Sequence, residues 1–133
     1  KKLKKFSEIR QENFDNLYSF FSNNKFLKVP KQLSQVKTSW LAFPLTITSN
    51  APFSRLELVK YLETNNIQTR PIFTGNVLRQ PAFKNINYKN LENDFHVSNN
   101  IMKNSFLIGC NHGLTSKHIE KIKNIFTKFL KNF

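Results

Sequence analysis

Apolar residues recur every three or four positions at both ends of this chain and every second position in its middle, and this change of period limits the fold more than any other feature. From Lys4 to about Ser22 the apolar set is Phe6, Ile9, Phe14, Leu17, Phe20 and Phe21, with polar residues between. That spacing predicts an amphipathic helix, because a 3.6-residue turn brings such positions onto one face. A second stripe, Ile119, Ile122, Phe126, Phe129 and Phe133, follows Thr115, whose hydroxyl suits a helix N-cap. Between the ends, Trp40, Leu41, Phe43, Leu45 and Ile47 alternate with smaller or polar residues, the period of a half-buried strand. Pro44 cannot donate to a ladder, so it predicts an edge position or a bulge there. Ser54 with Glu57 three residues on is a capping box, opening a helix that carries Leu56, Val59 and Leu62. Ile67–Arg70 and Ile72–Phe73 read as extended, and Ser105–Cys110 as a short buried strand. Gln80–Asn99 is rich in asparagine and aromatics without a period and reads as loop, with a helical turn at Asn100–Lys103. The order predicts an α+β fold: a small, mostly antiparallel sheet covered on one face by helices.

Composition bounds the function classes. At 133 residues and 39% hydrophobic, the chain has room for one domain with its own core. A formal charge of +13 raises nucleic acid as a partner, and a basic α+β nucleic-acid-binding module is the rival reading. The cations are scattered, however. Only Lys1, Lys2, Lys4 and Lys5 form a run, and the lysines of the last segment fall along one polar helix face, which reads as a solvated face. No apolar run reaches the length of a membrane span, and the chain starts at Lys1, so the expectation is a fragment of a longer cytoplasmic protein. Cys110 is the only cysteine, which leaves no disulfide framework and predicts a buried apolar thiol. His96, His112 and His118 do not stand at metal-ligand spacing with carboxylates, so no metal site is expected. Neither a nucleophile elbow nor a phosphate-binding glycine motif is present, and nothing in the chain is a self-sufficient catalytic centre.

The stretch Thr69–Pro81 concentrates the remaining signal. It holds two prolines, Gly75, Arg70, Arg79 and the amides of Asn76 and Gln80 within thirteen residues. Proline ends regular pairing and glycine permits a turn that a side chain would obstruct, so planar hydrogen-bonding groups sit on a stiffened backbone. Such groups suit phosphate, carboxylate or sugar hydroxyls. The plain alternative is a structural crossover whose arginines are merely solvated.

Three segments then carry a resemblance: Ser39–Pro44, Gln68–Asn76 with Gln80-Pro81, and Asn104–Gly109 followed by His112-Gly113-Leu114. In this order and spacing they resemble the C-terminal part of DegT/DnrJ/StrS-type nucleotide-sugar aminotransferases. The Thr-Arg-Pro-x-Phe-x-Gly-Asn form is most similar to the subgroup of CDP-4-keto-6-deoxyglucose 3-dehydratase and related lipopolysaccharide sugar enzymes. The resemblance covers essentially all of residues 1–133, as a leading helix over 1–24 and a small-domain body over 38–133. It implies the small C-terminal domain of a fold-type-I enzyme that uses pyridoxal 5'-phosphate or pyridoxamine 5'-phosphate, held mainly by an N-terminal large domain. It further implies a nucleotide-sugar substrate, a homodimer, and a 3-dehydratase or aminotransferase reaction on a nucleotide-linked 4-keto-6-deoxy sugar. Arg70, Asn76, Phe73 and Gln80 would meet substrate, while the proton-transferring residues would lie outside this chain, which alone would be inactive.

Overall fold

A computed structural model describes residues 2–89 and 94–133. Helix α1 (Lys2–Phe21) turns its apolar stripe inward, burying Phe14, Leu17 and Phe21. Strand β1 (Leu27–Lys28) leads through an irregular stretch to β2 (Ala42–Ile47). Helix α2 (Arg55–Thr64) starts at the capping box, with the Ser54 hydroxyl accepting from the Glu57 backbone N–H and the Glu57 carboxylate accepting from the Ser54 N–H. Strand β3 (Thr69–Pro71), two single 3₁₀ turns (Val77–Arg79 and Pro81–Phe83), helix α3 (His96–Asn104), strand β4 (Ser105–Gly109) and helix α4 (Ser116–Leu130) complete the order. At the start of α4 the Thr115 backbone N–H donates to His118 Nδ1 at 3.0 Å, so a histidine closes the cap that a glutamate closes on α2.

The four strands form one antiparallel sheet in the order β1-β2-β4-β3. Along β2, Phe43, Leu45 and Ile47 are buried and Ala42, Pro44 and Thr46 only half-buried, so the covered face is the one that α1 and α4 reach. The Phe21 and Phe126 rings meet edge-on there, 4.7 Å between centroids, and Phe43 packs below both helices at 5.8 Å from Phe21. Edge-on contact sets the positive rim of one ring against the negative face of the other. Pro44 sits in an interior strand, yet β1 pairs only Leu27 with Ile47 and Lys28 with Thr46, so the proline lies beyond its end and has one neighbouring strand. This explains how the sheet tolerates a residue without a donor. On the less covered face the register sets Pro44, Leu107 and Arg70 in one row across three strands.

Between α2 and β3 the chain reverses through Asn66 at φ +60. The Glu63 carboxylate fastens the far side of the turn, accepting from the Thr69 hydroxyl at 2.8 Å and from the Thr69 backbone N–H. Those two donors, the hydroxyl first, hold the Glu63 carboxyl below its ordinary pKa. A depressed folded pKa supplies stability that is present above the unfolded carboxylate value and is lost as pH falls through the folded one. Glu63→Gln is therefore expected to speed amide exchange at Thr69 at neutral pH and to flatten the acid dependence of that exchange. An acid dependence identical to the wild type's would contradict the linkage.

The α+β class and the antiparallel sheet agree with the sequence reading, and two local expectations are corrected. Strand β1, at Leu27–Lys28, is too short for any period to show in the sequence. Ile72–Phe73 is a tight turn, with the Phe73 N–H donating to the Pro71 carbonyl at 2.9 Å. The predicted loop over Gln80–Asn99 contains one 3₁₀ turn, Pro81–Phe83, and the first turn of α3, which begins at His96; its positions 90–93 lie outside the described residues.

Candidate functional site

The segment from Thr69 to Gln80 leaves the sheet at its β3 edge and folds into a loop that is braced from beneath. Arg70 is exposed; its Nη1 donates to the Thr69 carbonyl at 2.8 Å, and its Nη2 lies 2.7 Å from the Gln68 side-chain oxygen in the amide orientation that satisfies both groups. No carboxylate salt-bridges it among the described residues. Its guanidinium is steered but keeps donor capacity for an anion.

Phe73 is 89% exposed and stands at φ +43, with Gly75 two residues on at φ +64. Left-handed backbone is rare for a bulky residue and costs about 1–3 kcal/mol, and such strain gathers at ligand clamps because something else holds the chain in place. Here α3 does so. A Cβ on Gly75 would lie 2.6 Å from Met102 Cα and closer still to Met102 Cβ, so the loop and helix backbones are in contact through the glycine. The Gly75 N–H donates to the Ile72 carbonyl at 2.9 Å, and Gln80 Nε2 donates to the Thr74 carbonyl at 2.9 Å, closing the loop on itself.

Asn76 is 4% exposed, and both halves of its amide bond within the chain. Its Oδ1 accepts from the Leu78 N–H at 3.0 Å, capping the 3₁₀ turn, while Nδ2 donates to Asn99 Oδ1 at 2.7 Å. Arg79 donates through Nε to the same Asn99 oxygen at 3.2 Å and through Nη2 to the Asp94 carboxylate at 2.6 Å. Of the residues read from the sequence as facing substrate, Arg70 and Phe73 thus point outward from the loop, while Asn76 and Gln80 give it its shape. Asn99, Asp94 and Met102 escaped the sequence reading. They come from a segment without period, and only contact across about twenty residues of chain brings them under the loop.

Elsewhere the candidates are structural. Cys110 is fully buried, and burial first, then the nearby Asp15 charge, pushes its thiol up to about 12, leaving it an inert core group at neutral pH. Trp40 stacks on Phe14 at 4.2 Å and donates to Gln32 Oε1 at 3.0 Å, and Phe43 is core. His112 is held in the β4–α4 turn between the Phe6 ring, stacked at 3.9 Å, and Arg10 Nη2 at 3.2 Å from its Nδ1. Among the described residues no cluster of His, Cys, Asp and Glu could hold a metal, and no helix is long and apolar enough to cross a membrane.

The model of the DegT/DnrJ/EryC1/StrS aminotransferase family matches residues 1–127. The chain belongs to that family. It is 34% identical over 129 residues to the lipopolysaccharide biosynthesis protein RfbH of Salmonella typhimurium, which covers 96% of this chain and 29% of that protein. With the dTDP-4-dehydro-2,6-dideoxy-D-glucose 3-dehydratase of Saccharopolyspora spinosa it shares 30% over 129 residues, 97% of this chain and 28% of the other. Its fold superposes with a TM-score of 0.82 on the crystal structure of the E. coli GDP-4-keto-6-deoxy-D-mannose 3-dehydratase with bound hydrated PLP, at 26% identity, covering 93% of this chain and 31% of that one. This family member thus spans under a third of the length of each of these relatives. Its α+β fold corresponds to a C-terminal portion of the fold-type-I pyridoxal-phosphate enzymes.

Proposed function

We propose that this chain is the substrate-closing domain of a cytoplasmic enzyme that acts, with pyridoxal 5'-phosphate or pyridoxamine 5'-phosphate, on a nucleotide-linked 4-keto-6-deoxy sugar. The reaction is a 3-dehydration or a transamination in deoxysugar and lipopolysaccharide biosynthesis. Two named 3-dehydratases among the relatives support the substrate class. The observation that carries the site is the braced loop itself: an exposed aromatic in left-handed backbone, beside an arginine that no described carboxylate salt-bridges, on a face that the sheet leaves half open.

The residues fit one end of such a ligand. Arg70 offers planar donors matched to a phosphate, and the Phe73 ring offers a flat apolar face for a base or sugar. They do not fit the cofactor ring, since every described carboxylate is solvent-exposed and none is buried to pair with a pyridinium nitrogen. Bound to the rest of the polypeptide, the cofactor supplies an electron sink for carbanion chemistry. This chain supplies the positioning. Arg70 and Phe73 orient the nucleotide sugar, and the braced loop excludes water without having to be ordered at the moment of binding.

In the full-length protein, Arg70→Ala and Phe73→Ala are each expected to lower kcat/KM for a nucleotide 4-keto-6-deoxy sugar by roughly tenfold, the worth of one lost charged hydrogen bond or one lost stack. Both side chains are exposed, so the thermal midpoint should hold. Unchanged kinetics in both variants would remove the loop from the substrate site.

A further inference from the structure

We infer that Asn99 is the positioning residue of this loop, setting from α3 the geometry in which Arg79 and the Phe73–Asn76 turn meet the nucleotide sugar. The inference rests on the substrate reading of the loop given above, and it concerns a residue that touches no substrate itself.

Among the described residues, Asn99 is the α3 side chain on which bonds from Asn76 and Arg79 of the loop converge. Its Oδ1 accepts from Asn76 Nδ2 at 2.7 Å and from Arg79 Nε at 3.2 Å, filling both lone-pair directions of an amide oxygen. Its Nδ2 donates back to the Asp94 carbonyl at 2.8 Å, while the Asp94 carboxylate holds Arg79 Nη2 at 2.6 Å. The result is a ring closed through three residues, Asn99, Arg79 and Asp94, the last by both its carboxylate and its backbone carbonyl, with Asn76 tied to the ring through Asn99. Asp94 and Phe95 both lie at positive φ, +41 and +55, so the backbone entering α3 is bent to bring the Asp94 carbonyl within reach of Asn99. Met102, one turn further along α3, meets the loop at Gly75. Helix α3 therefore grips the loop twice from one face: by steric contact at position 102 and by hydrogen bonds at position 99.

The two grips differ in what they fix. The Gly75–Met102 contact sets how near the loop lies, whereas the Asn99 amide sets its rotation, because an amide oxygen accepts along two directions in one plane. Arg79 has two of its nitrogens occupied by this ring, and among the described residues its Nη1 has no acceptor. A guanidinium held by one edge and open at the other presents a fixed donor to an incoming anion, and such preorganisation is what an exposed, flexible arginine lacks.

The test uses the full-length enzyme with whichever of the CDP-, dTDP- or GDP-linked 4-keto-6-deoxyhexoses the wild type turns over. Asn99→Ala is expected to raise KM roughly tenfold with kcat held within about twofold, the signature of lost ground-state positioning. The thermal midpoint should stay in place, and amides of residues 72–80 should exchange faster while those of β4 do not. Asn99→Leu keeps the side-chain volume but offers no acceptor to Asn76 and Arg79, and it should raise KM as far as the alanine variant does, which a purely steric role would not predict. If Arg70→Ala and Phe73→Ala raise KM but Asn99→Ala does not, this inference fails and the substrate reading stands. If none of the three moves KM, both fail. A fall in kcat together with the thermal midpoint, without faster exchange in the loop, would mark Asn99 as a general stability residue and overturn the proposal.

Discussion

Phe126→Ala is expected to destabilise this domain by about 3–5 kcal/mol, the range for removing a fully buried aromatic ring and leaving a cavity behind. Phe126 has no exposed surface and lies edge-on to Phe21, so its ring is the contact through which α4 reaches α1 above the sheet. Phe21 and the Phe43 ring that packs against it are themselves fully buried and carried on different elements. Collapse into the vacated space would require a helix to shift against the sheet, and close-packed interiors resist that. In the full-length protein the loss should be read as reduced hydrogen-exchange protection of the α1 and α4 amides, which reports the free energy of opening this unit. Phe126→Leu keeps most of the volume and should cost less than half as much. A loss below about 1 kcal/mol for the alanine variant would mean that the site relaxes freely and that the two helices are not coupled through this ring.

The second large effect falls on the loop. Gly75→Ala combines two penalties: a left-handed conformation that costs an L-residue about 1–2 kcal/mol, and overpacking against Met102 worth about 1–3 kcal/mol. The added methyl would meet Met102 Cα as well as its side chain, so Met102→Ala cannot relieve the clash and should not rescue the variant. Because the loop must lift off α3, the Asn99 contacts open with it, and KM for the nucleotide sugar should rise by more than in Arg70→Ala. Gly113→Ala is the control, since a methyl there meets only the end of the Asn111 side chain, at 3.0 Å, and that amide can turn aside. Equal effects from the two glycine variants would show that the Gly75 contact with α3 has no special role.

The two effects differ in how readable they are. Phe126 belongs to a stripe repeating every three or four residues, and a residue at such a position is core in nearly any fold that uses the helix. Gly75 was readable as a turn residue, while its reason, the backbone of Met102 against its Cα, was not. The same division runs through the site. Arg70 and Phe73 were legible as ligand-facing candidates because proline and glycine punctuate their loop. Asn76 was legible as a polar loop residue, but its direction was not: its amide caps the next turn and reaches across to Asn99, and nothing local distinguishes that from an amide turned to solvent. Asn99 itself lies in a segment whose many asparagines are weak helix formers, and α3 begins there on two left-handed residues without a side-chain cap.

Period and capping chemistry act over a few residues, and through them the sequence by itself determined the three longer helices, the β2 and β4 strands and the α+β class. Strand order, the row of Pro44, Leu107 and Arg70 across the sheet, and the hydrogen-bond network joining Asn76, Asn99, Asp94 and Arg79 were decided only in the tertiary structure. These contacts form between groups far apart along the chain, and their energies depend on which partners the folded backbone brings within hydrogen-bonding distance.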